Sequence, residues 1–386
     1  MTPGARVAAA IEVLDAIDAG QPAEKALTRW ARASRFAGSK DRAAIRDHVF
    51  DVLRHWRSDA ARGGADSGRA RMIGRLRDQG IDPDTLFDGR GYAPAPLSDL
   101  ERERSKPLDP QGVAWDLPDW LVPIFENSIG DEAEQTARAL TERAPVTLRV
   151  NMSKSSVADA QLALKEDGIE TIANPRAATA LTVTEGARRV RHALAYVNGL
   201  VEVQDASSQA AVAGLGAPGK ALDMCAGGGG KALAMAALGW SVTASDVDAA
   251  RMSDLPARAA RGGHDIKICP SGGLASSPPF DLVFVDAPCS GSGTWRRAPD
   301  AKWALTQDRL DDLTRIQSEI LAQAAALVVP GGTLLYATCS VLREENAEQV
   351  QNFVDGAADF SIDATQRWAV DEWGDGFFAT HLTRAG

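Results

Sequence analysis

The chain has 386 residues, enough for two or three domains with a core each. Its 45% hydrophobic and 24% charged residues are those of an ordinary globular protein, and no apolar run reaches the roughly 18 residues of a membrane span. The 42 basic against 52 acidic residues leave a net charge of −10, which excludes bulk attraction to nucleic acid, so any such partner needs a local basic patch.

The first twenty residues lack a basic start followed by an apolar core, so no export signal is expected and the cytoplasm is the expected location. Cys225, Cys269, Cys289 and Cys339 are scattered with no C-x-x-C pair. That argues against a zinc cage or a disulfide framework and fits a reducing compartment. No metal and no membrane partner are expected, and a monomer is the expected state.

From Arg6 to Trp56 the apolar spacing is helical. Val7, Ile11 and Leu14 follow the i, i+4, i+7 rule, and Ile45, Val49, Val52, Leu53 and Trp56 do so again. Gly20, Pro22 and Gly38 are breakers between short helices. The Gly- and Arg-rich stretch from Gly63 to Arg71 reads as an interruption, and residues 89–110 as a linker or irregular crossing. Residues 1–140 are thus expected to form an all-α domain with its linker.

From about Ala144 the period changes. "VTLRVN" alternates like a strand, "SSVADAQLALKEDG" reads as a helix ending at Gly168, and "IETIAN", "ALTV" and "LVEVQD" read as strands. This makes a small α/β subdomain at residues 141–203. In residues 204–386 the runs "KALDMC", "SVTAS", "IKIC", "FDLVFVDA" and "TLLYATC" read as buried strands, separated by helical patterns such as Leu310, Leu313, Ile316, Ile320 and Leu327. That alternation implies a Rossmann-like α/β fold with a largely parallel sheet, whose ligands bind beyond the carboxyl ends of the strands.

At one such end, strand, four glycines (Gly227 to Gly230) and helix follow one another. Glycine lets the backbone approach a ligand at a helix N-terminus. The next strand ends in Asp246, nineteen residues past Gly227, where an acid can reach ribose hydroxyls. A flexible turn is the plain alternative. No G-x-x-x-x-G-K-[ST] or G-x-G-x-x-G can be drawn, which leaves S-adenosylmethionine as the common tenant of this architecture.

After the fourth strand comes "FVDAPCSGSGTWRRAPDAKW", residues 284–303, with Asp286 and Cys289 at the strand's end. Arg296, Arg297 and Lys302 form a compact basic cluster interleaved with Trp295 and Trp303, suited to phosphate contact and base stacking. The alternative is a solvated loop with buried tryptophans. "LLYATCSVLREEN" puts Cys339 where another apolar strand gives way to an abruptly charged stretch. Singly, each cysteine is more often a buried hydrophobe than a nucleophile. Together with an acid, a lysine and a glycine loop, two strand-end cysteines point to chemistry.

Residues 204–386 resemble the Sun/RsmB group (NOL/NOP/Sun family) of RNA cytosine-C5 methyltransferases. The matching stretches are "QDASSQA", "LDMCAGGGGK", "ASDVDAAR", "DAPCSGSGTWRRAPDAKW", "LLYATCSVLREEN" and "DGFFATHL". "GSKDRAAIRDHVFDVLRHW" resembles the NusB-like helical RNA-binding domain that precedes the catalytic part in this group. The resemblance implies a class I methyltransferase fold, S-adenosylmethionine as cofactor, and RNA, most simply ribosomal RNA, as partner.

By the same resemblance Cys339 attacks carbon 6 of the cytosine, and Cys289 serves release of the product. Asp286 holds the amino and ring-nitrogen edge, with Lys231 close by. Cys225, Ala226, Gly227, Gly228, Gly229, Lys231, Asp246, Arg251 and Asp286 are the implied cofactor-binding residues. A thiolate adding to carbon 6 makes carbon 5 an enamine nucleophile, which explains the need for cysteine.

The sequence departs from the family pattern in two places. Where the usual motif reads Ala-Pro-Gly-Gly-Lys-Thr, Gly227 and Gly228 stand for the first two residues and Ala232 for the threonine. The third strand carries Cys269 and Ser271 where an acid for the adenine is usual. These departures keep open a non-catalytic RNA-binding or ribosome-assembly factor, and the same chemistry on tRNA also stays open. Amino-group methylation expects an N/D-P-P-aromatic tetrad, which Asp286 to Cys289 do not supply.

Overall fold

The computed structural model describes residues 1–103 and 105–386. They form two compact units: Met1–Arg143 with Trp295–Leu305, and Ala144–Thr294 with Thr306–Gly386.

The first unit is helical. Its main elements are α1 (Pro3–Asp18), α2 (Ala23–Ala33), α3 (Ser39–Arg54), α4 (Trp56–Gly63) and α5 (Gly68–Asp78). Thr2 caps α1 by accepting the Ala5 N–H at 3.2 Å, with Pro3 in the first turn, where its missing N–H costs nothing. The i, i+4, i+7 residues Val7 and Leu14 meet Ile45, Val49, Leu53, Met72 and Ile73 in one buried core.

Two expectations change here. The helix expected to run through Trp56 breaks at His55, and α4 starts afresh. The Gly63–Arg71 stretch is no plain interruption, because α5 begins at Gly68. A Cβ on Gly63 would lie 1.8 Å from the Ala70 carbonyl oxygen, and one on Gly74 1.9 Å from that of Asp59. These glycines are where α4 and α5 touch backbone to backbone. Residues 89–110 are mainly irregular, with one short helix at Asp99–Glu103; Arg104, within that stretch, lies outside the described residues.

Trp295–Leu305 is part of this unit's interior. Trp303 Nε1 donates to the Leu53 carbonyl at 2.8 Å, and Arg54 Nε to that of Arg296 at 2.8 Å.

The second unit holds two sheets. β1 (Val146–Val150), β2 (Glu170–Ala173), β3 (Ala180–Glu185) and β4 (Val201–Val203) form an antiparallel sheet in the order β2-β3-β1-β4, packed on the helix Val157–Glu166. β5 (Lys220–Asp223), β6 (Ser241–Ala244), β7 (Ile266–Ile268), β8 (Phe280–Asp286), β9 (Val328–Thr338), β10 (Phe360–Trp368) and β11 (Phe377–Arg384) form the larger one, ordered β10-β11-β9-β8-β5-β6-β7. β5 to β9 are mutually parallel, and β10 and β11 add an antiparallel edge. The chain order reverses direction between β5 and β8, the place where a doubly wound sheet opens a crevice. Among the described residues no helix is long and apolar enough to cross a membrane.

Candidate active site

β8 and β9 pair in parallel with Asp286 opposite Ala337. Beyond the sheet the Ala287 N–H donates to the Ala337 carbonyl at 2.8 Å, and the Gly293 N–H to that of Cys339 at 3.0 Å. The two loops therefore leave the sheet side by side, and Cys289 Sγ stands 3.5 Å from Cys339 Sγ. Both are free, half-buried thiols. The Cys289 thiol is held well above its ordinary pKa, first by its hydrogen bond to Cys339, then by burial, then by the charges of Cys339 and Glu345. Either thiol can donate across this contact, and the raised Cys289 pKa favours the proton on Cys289.

The charged turn after Cys339 does not simply face solvent: Glu345 and Asn346 are buried. Glu345 Oε2 accepts from Ser290 Oγ and Ser340 Oγ, each at 2.5 Å, and Oε1 accepts the Ser290 N–H at 2.7 Å. Gln317 Nε2 adds bonds to Glu345 Oε1 (3.1 Å) and to the Pro288 carbonyl (2.9 Å). Tyr336 OH donates to the Glu345 carbonyl at 2.7 Å. One carboxylate thus ties together both cysteine loops. Sequence reasoning passed over Glu345; the signal was an acid pair five and six residues beyond a strand-end cysteine.

Lys231, one residue into the helix Gly230–Ala237, donates from Nζ to Asp286 Oδ2 at 2.5 Å and lies 5.2 Å from the centre of the Phe377 ring. Burial opposes its charge, but Asp286, with further help from Cys339 and Asp223, holds its pKa above the ordinary lysine value. Asp223, at the end of β5, was also missed. It is 1% exposed, and its carboxylate oxygens make no close hydrogen bond, the backbone of Ala232 easing its charge only weakly. Burial, followed by the nearby Asp286 charge, pushes its pKa up to about 7.

The glycine loop has the backbone expected of a ligand cradle. Gly227 and Gly229 take positive φ values of 51° and 81°. A Cβ on Gly229 would come within 2.3 Å of Leu255 Cδ1. Asp246 is 2% exposed and accepts the Gly227 N–H at 2.8 Å and the Asp248 N–H at 2.9 Å. Arg251 Nη1 lies 3.1 Å from its Oδ2. The Ala226 N–H bonds the Ser245 carbonyl at 2.9 Å, tying the loop to the end of β6. Cys225 turns its side chain into the core beside Leu222 and Val285, and burial pushes its thiol up to about 12.

This set suits a cationic nucleoside. Asp223, Asp246 and Asp286 are acids around a loop whose cations are Lys231 and Arg251, and Asp223 has unfilled acceptors. Asp265 precedes β7 and so lies at the amino end of that strand, while Cys269 and Ser271 follow its carboxyl end. Among the described residues no group of three or more His, Cys, Asp or Glu side chains could hold a metal.

The expected basic cluster is corrected. Arg296 is 2% and Lys302 1% exposed, both inside the helical unit, and Trp295 is buried with them. Lys302 faces the buried Asp116, and desolvation lowers its pKa to about 8 against that attraction. Neither side chain offers charge to a polyanion. Arg297 alone of the three is exposed, and it lines a pocket of about 380 Å³ with Arg46, Arg54, Arg143, His48, Asp47 and Asp51.

Strand order, glycine loop and paired strand-end cysteines define a class I methyltransferase. Residues 217–380 match the family described as 16S rRNA methyltransferase RsmB/F, and residues 117–190 match its RsmF/B-like ferredoxin-like domain. The chain is 37% identical over 293 residues to ribosomal RNA small subunit methyltransferase B of Cronobacter sakazakii, covering 71% of this chain and 68% of that protein. It is 33% identical over 285 residues to the protein of the same name from Klebsiella pneumoniae, covering 69% and 66%. The crystal structure of PH0851 shares the fold at a TM-score of 0.76 and 24% identity, covering 99% of each chain. A methyltransferase homolog protein from Pyrococcus horikoshii does so at 0.63 and 24%, over 71% of this chain and 97% of its own. The chain belongs to the RsmB/F family, and it is an S-adenosylmethionine-dependent methyltransferase.

Proposed function

We propose that the protein methylates carbon 5 of a cytosine in small-subunit ribosomal RNA through a covalent bond between Cys339 and carbon 6. The observation that carries this reading is the 3.5 Å approach of two cysteines at the ends of adjacent parallel strands. S-adenosylmethionine, when bound, supplies a methyl group on a positively charged sulfur. Gly227 to Gly229, Asp246 and Asp223 would hold it.

Cys339 Sγ adds to carbon 6, and the ring's double-bond electrons move toward carbon 5, which becomes nucleophilic enough to take the methyl. Asp286, ion-paired with Lys231, accepts from the cytosine amino group and fixes the ring. Loss of the carbon-5 proton then drives the electrons back, breaking the sulfur–carbon bond and returning the electron pair to Cys339. Cys289 is the proposed acceptor of that proton. While Cys339 is free, its hydrogen bond is the first reason Cys289 holds its proton, followed by burial and then by the charge of Cys339. Once Cys339 Sγ is bonded to carbon, its charge is gone and its hydrogen bond to Cys289 is weakened. The Cys289 thiol then ionises more readily, releasing its proton to solvent before the thiolate takes the carbon-5 proton. The base is armed by the step that precedes its use.

The arginines around the 380 Å³ pocket of the helical unit are the proposed phosphate contacts, with Arg297 among them. The expected NusB-like character of that unit supports an RNA-binding role. The target base must be unstacked to reach a thiol. A cytoplasmic monomer is the proposed state.

The test is bisulfite sequencing of RNA taken from cells lacking the gene and incubated with protein and S-adenosylmethionine. One new 5-methylcytosine in small-subunit ribosomal RNA is expected, and none with Cys339→Ala. A modification confined to tRNA would move the substrate, and no protein-dependent methylcytosine in any RNA would sink the reading.

A further inference from the structure

Four consecutive glycines, Gly227 to Gly230, must hold a single conformation in the cofactor loop. Glycine loses more backbone freedom on ordering than any other residue, so such a loop binds poorly unless something outside restrains it. Three of the four have evident restraints. The Gly227 N–H is bonded to Asp246, the Gly229 N–H to the Ala226 carbonyl at 2.7 Å, and Gly230 opens a helix.

Gly228 is held differently. Its carbonyl accepts a hydrogen bond from Arg258 Nη1. Arg258 lies in the helix Leu255–Gly262, and its guanidinium is itself fixed by Glu202, with Nε 3.4 Å from Oε2 and Nη2 3.3 Å from Oε1. The two side chains are only 20% and 11% exposed. Glu202 belongs to β4 of the small sheet and also binds Arg261 Nη2 at 2.6 Å. The turn that follows β1 of the same sheet grips the end of that helix, where Asn151 Nδ2 donates to the Gly262 carbonyl at 2.8 Å and Lys154 Nζ to that of Arg261 at 2.6 Å.

We infer that Arg258, oriented by Glu202, is a positioning residue for the cofactor loop, and that the small sheet thereby serves as a scaffold for the methyl-donor site. A planar guanidinium that meets a carboxylate on one side still has a donor left for a carbonyl on the other, which an ammonium on a flexible stem cannot present with the same direction. The clamp does for the Gly228 peptide what a proline ring would do covalently. The geometry admits that exchange: Gly228 lacks the positive φ of its neighbours, and among the described residues its N–H has no acceptor. An added Cβ would lie 3.1 Å from Arg258 Nη1, so shortening Arg258 opens the room.

The inference rests on the cofactor reading above, and the experiment separates the two. Hydrogen exchange at Gly227–Lys231 is measured in ligand-free protein, and S-adenosylhomocysteine binding is measured by calorimetry. Arg258→Ala should speed exchange in the loop and weaken binding about tenfold, the loss of one charge-assisted hydrogen bond. Arg258→Lys and Glu202→Gln should show most of the same loss. Gly228→Pro added to Arg258→Ala should recover protection and affinity, which a general loss of stability would not allow. Tight binding by wild type and equally tight binding by Arg258→Ala would overturn the inference. If wild type fails to bind S-adenosylhomocysteine, the cofactor reading fails. Exchange in the ligand-free loop then decides the clamp alone: faster exchange in Arg258→Ala supports it, and unchanged exchange overturns it.

Discussion

Ser340 Oγ donates to Glu345 Oε2 at 2.5 Å, and Ser290 Oγ donates to the same oxygen at 2.5 Å. These serines directly follow Cys339 and Cys289, so the spacing of the two sulfurs depends on one buried carboxylate. Glu345→Gln replaces one acceptor oxygen by a donor amide facing hydroxyls. A displacement near 1 Å costs about 100-fold in rate, so kcat should fall by about that factor while KM for RNA changes little. A KM effect with unchanged kcat would place Glu345 in RNA binding instead.

The pairing also ranks the thiols. Cys289 is held protonated by Cys339 and by burial, and Cys225 by burial, with its pKa pushed up to about 12. In a Cys269→Ser background, limiting iodoacetamide at pH 8 should label Cys339 first, as read by peptide mass spectrometry. Equal labelling of Cys289 would contradict the proton assignment.

Cys289→Ala removes the proposed base and leaves the nucleophile. A protein–RNA adduct stable to denaturing electrophoresis is expected to accumulate with S-adenosylmethionine present, and Cys339→Ala should show none. Full turnover by Cys289→Ala without an adduct would remove Cys289 from product release.

Asp223 carries a pH signature. Its folded pKa of about 7 lies above the value of about 4 for an unfolded aspartate. The stability it contributes is therefore complete below pH 4 and is lost as pH rises through 7, because the unfolded chain releases the proton first. Urea unfolding of ligand-free protein should show wild type losing about 1–3 kcal/mol more than Asp223→Asn between pH 5 and pH 8. Parallel pH profiles would refute the assignment.

Arg297 and Lys302 should separate cleanly. Lys302→Met leaves Asp116 buried without its counter-charge and should cost about 3 kcal/mol of stability in thermal or urea unfolding. Arg297→Ala should stay within about 0.5 kcal/mol of wild-type stability but weaken RNA binding and lower the salt slope by about 1. Loss of RNA affinity in neither variant would move the RNA contact away from this pocket.

Much of the molecule was legible in order. The apolar runs ending in Asp223, Asp286 and Cys339 are strands, because short buried runs between helical periods have few other solutions. The antiparallel edge β10–β11 was not, since β10 is mostly exposed and its polar alternation carries little signal. Nor was α5: its glycines serve helix contact, and glycine in sequence reads equally well as a break.

The sequence by itself determined the reaction's chemical parts: two strand-end cysteines, a lysine, an acid and a glycine loop, in an order that few other functions need. Tertiary structure alone decided where each charge goes. "LREEN" and "WRRAPDAK" look solvent-facing because charge favours water, yet Glu345, Arg296 and Lys302 are buried. Burial of a charge is set by a distant partner, Ser290 for Glu345 and Asp116 for Lys302, and only folding brings those partners within reach.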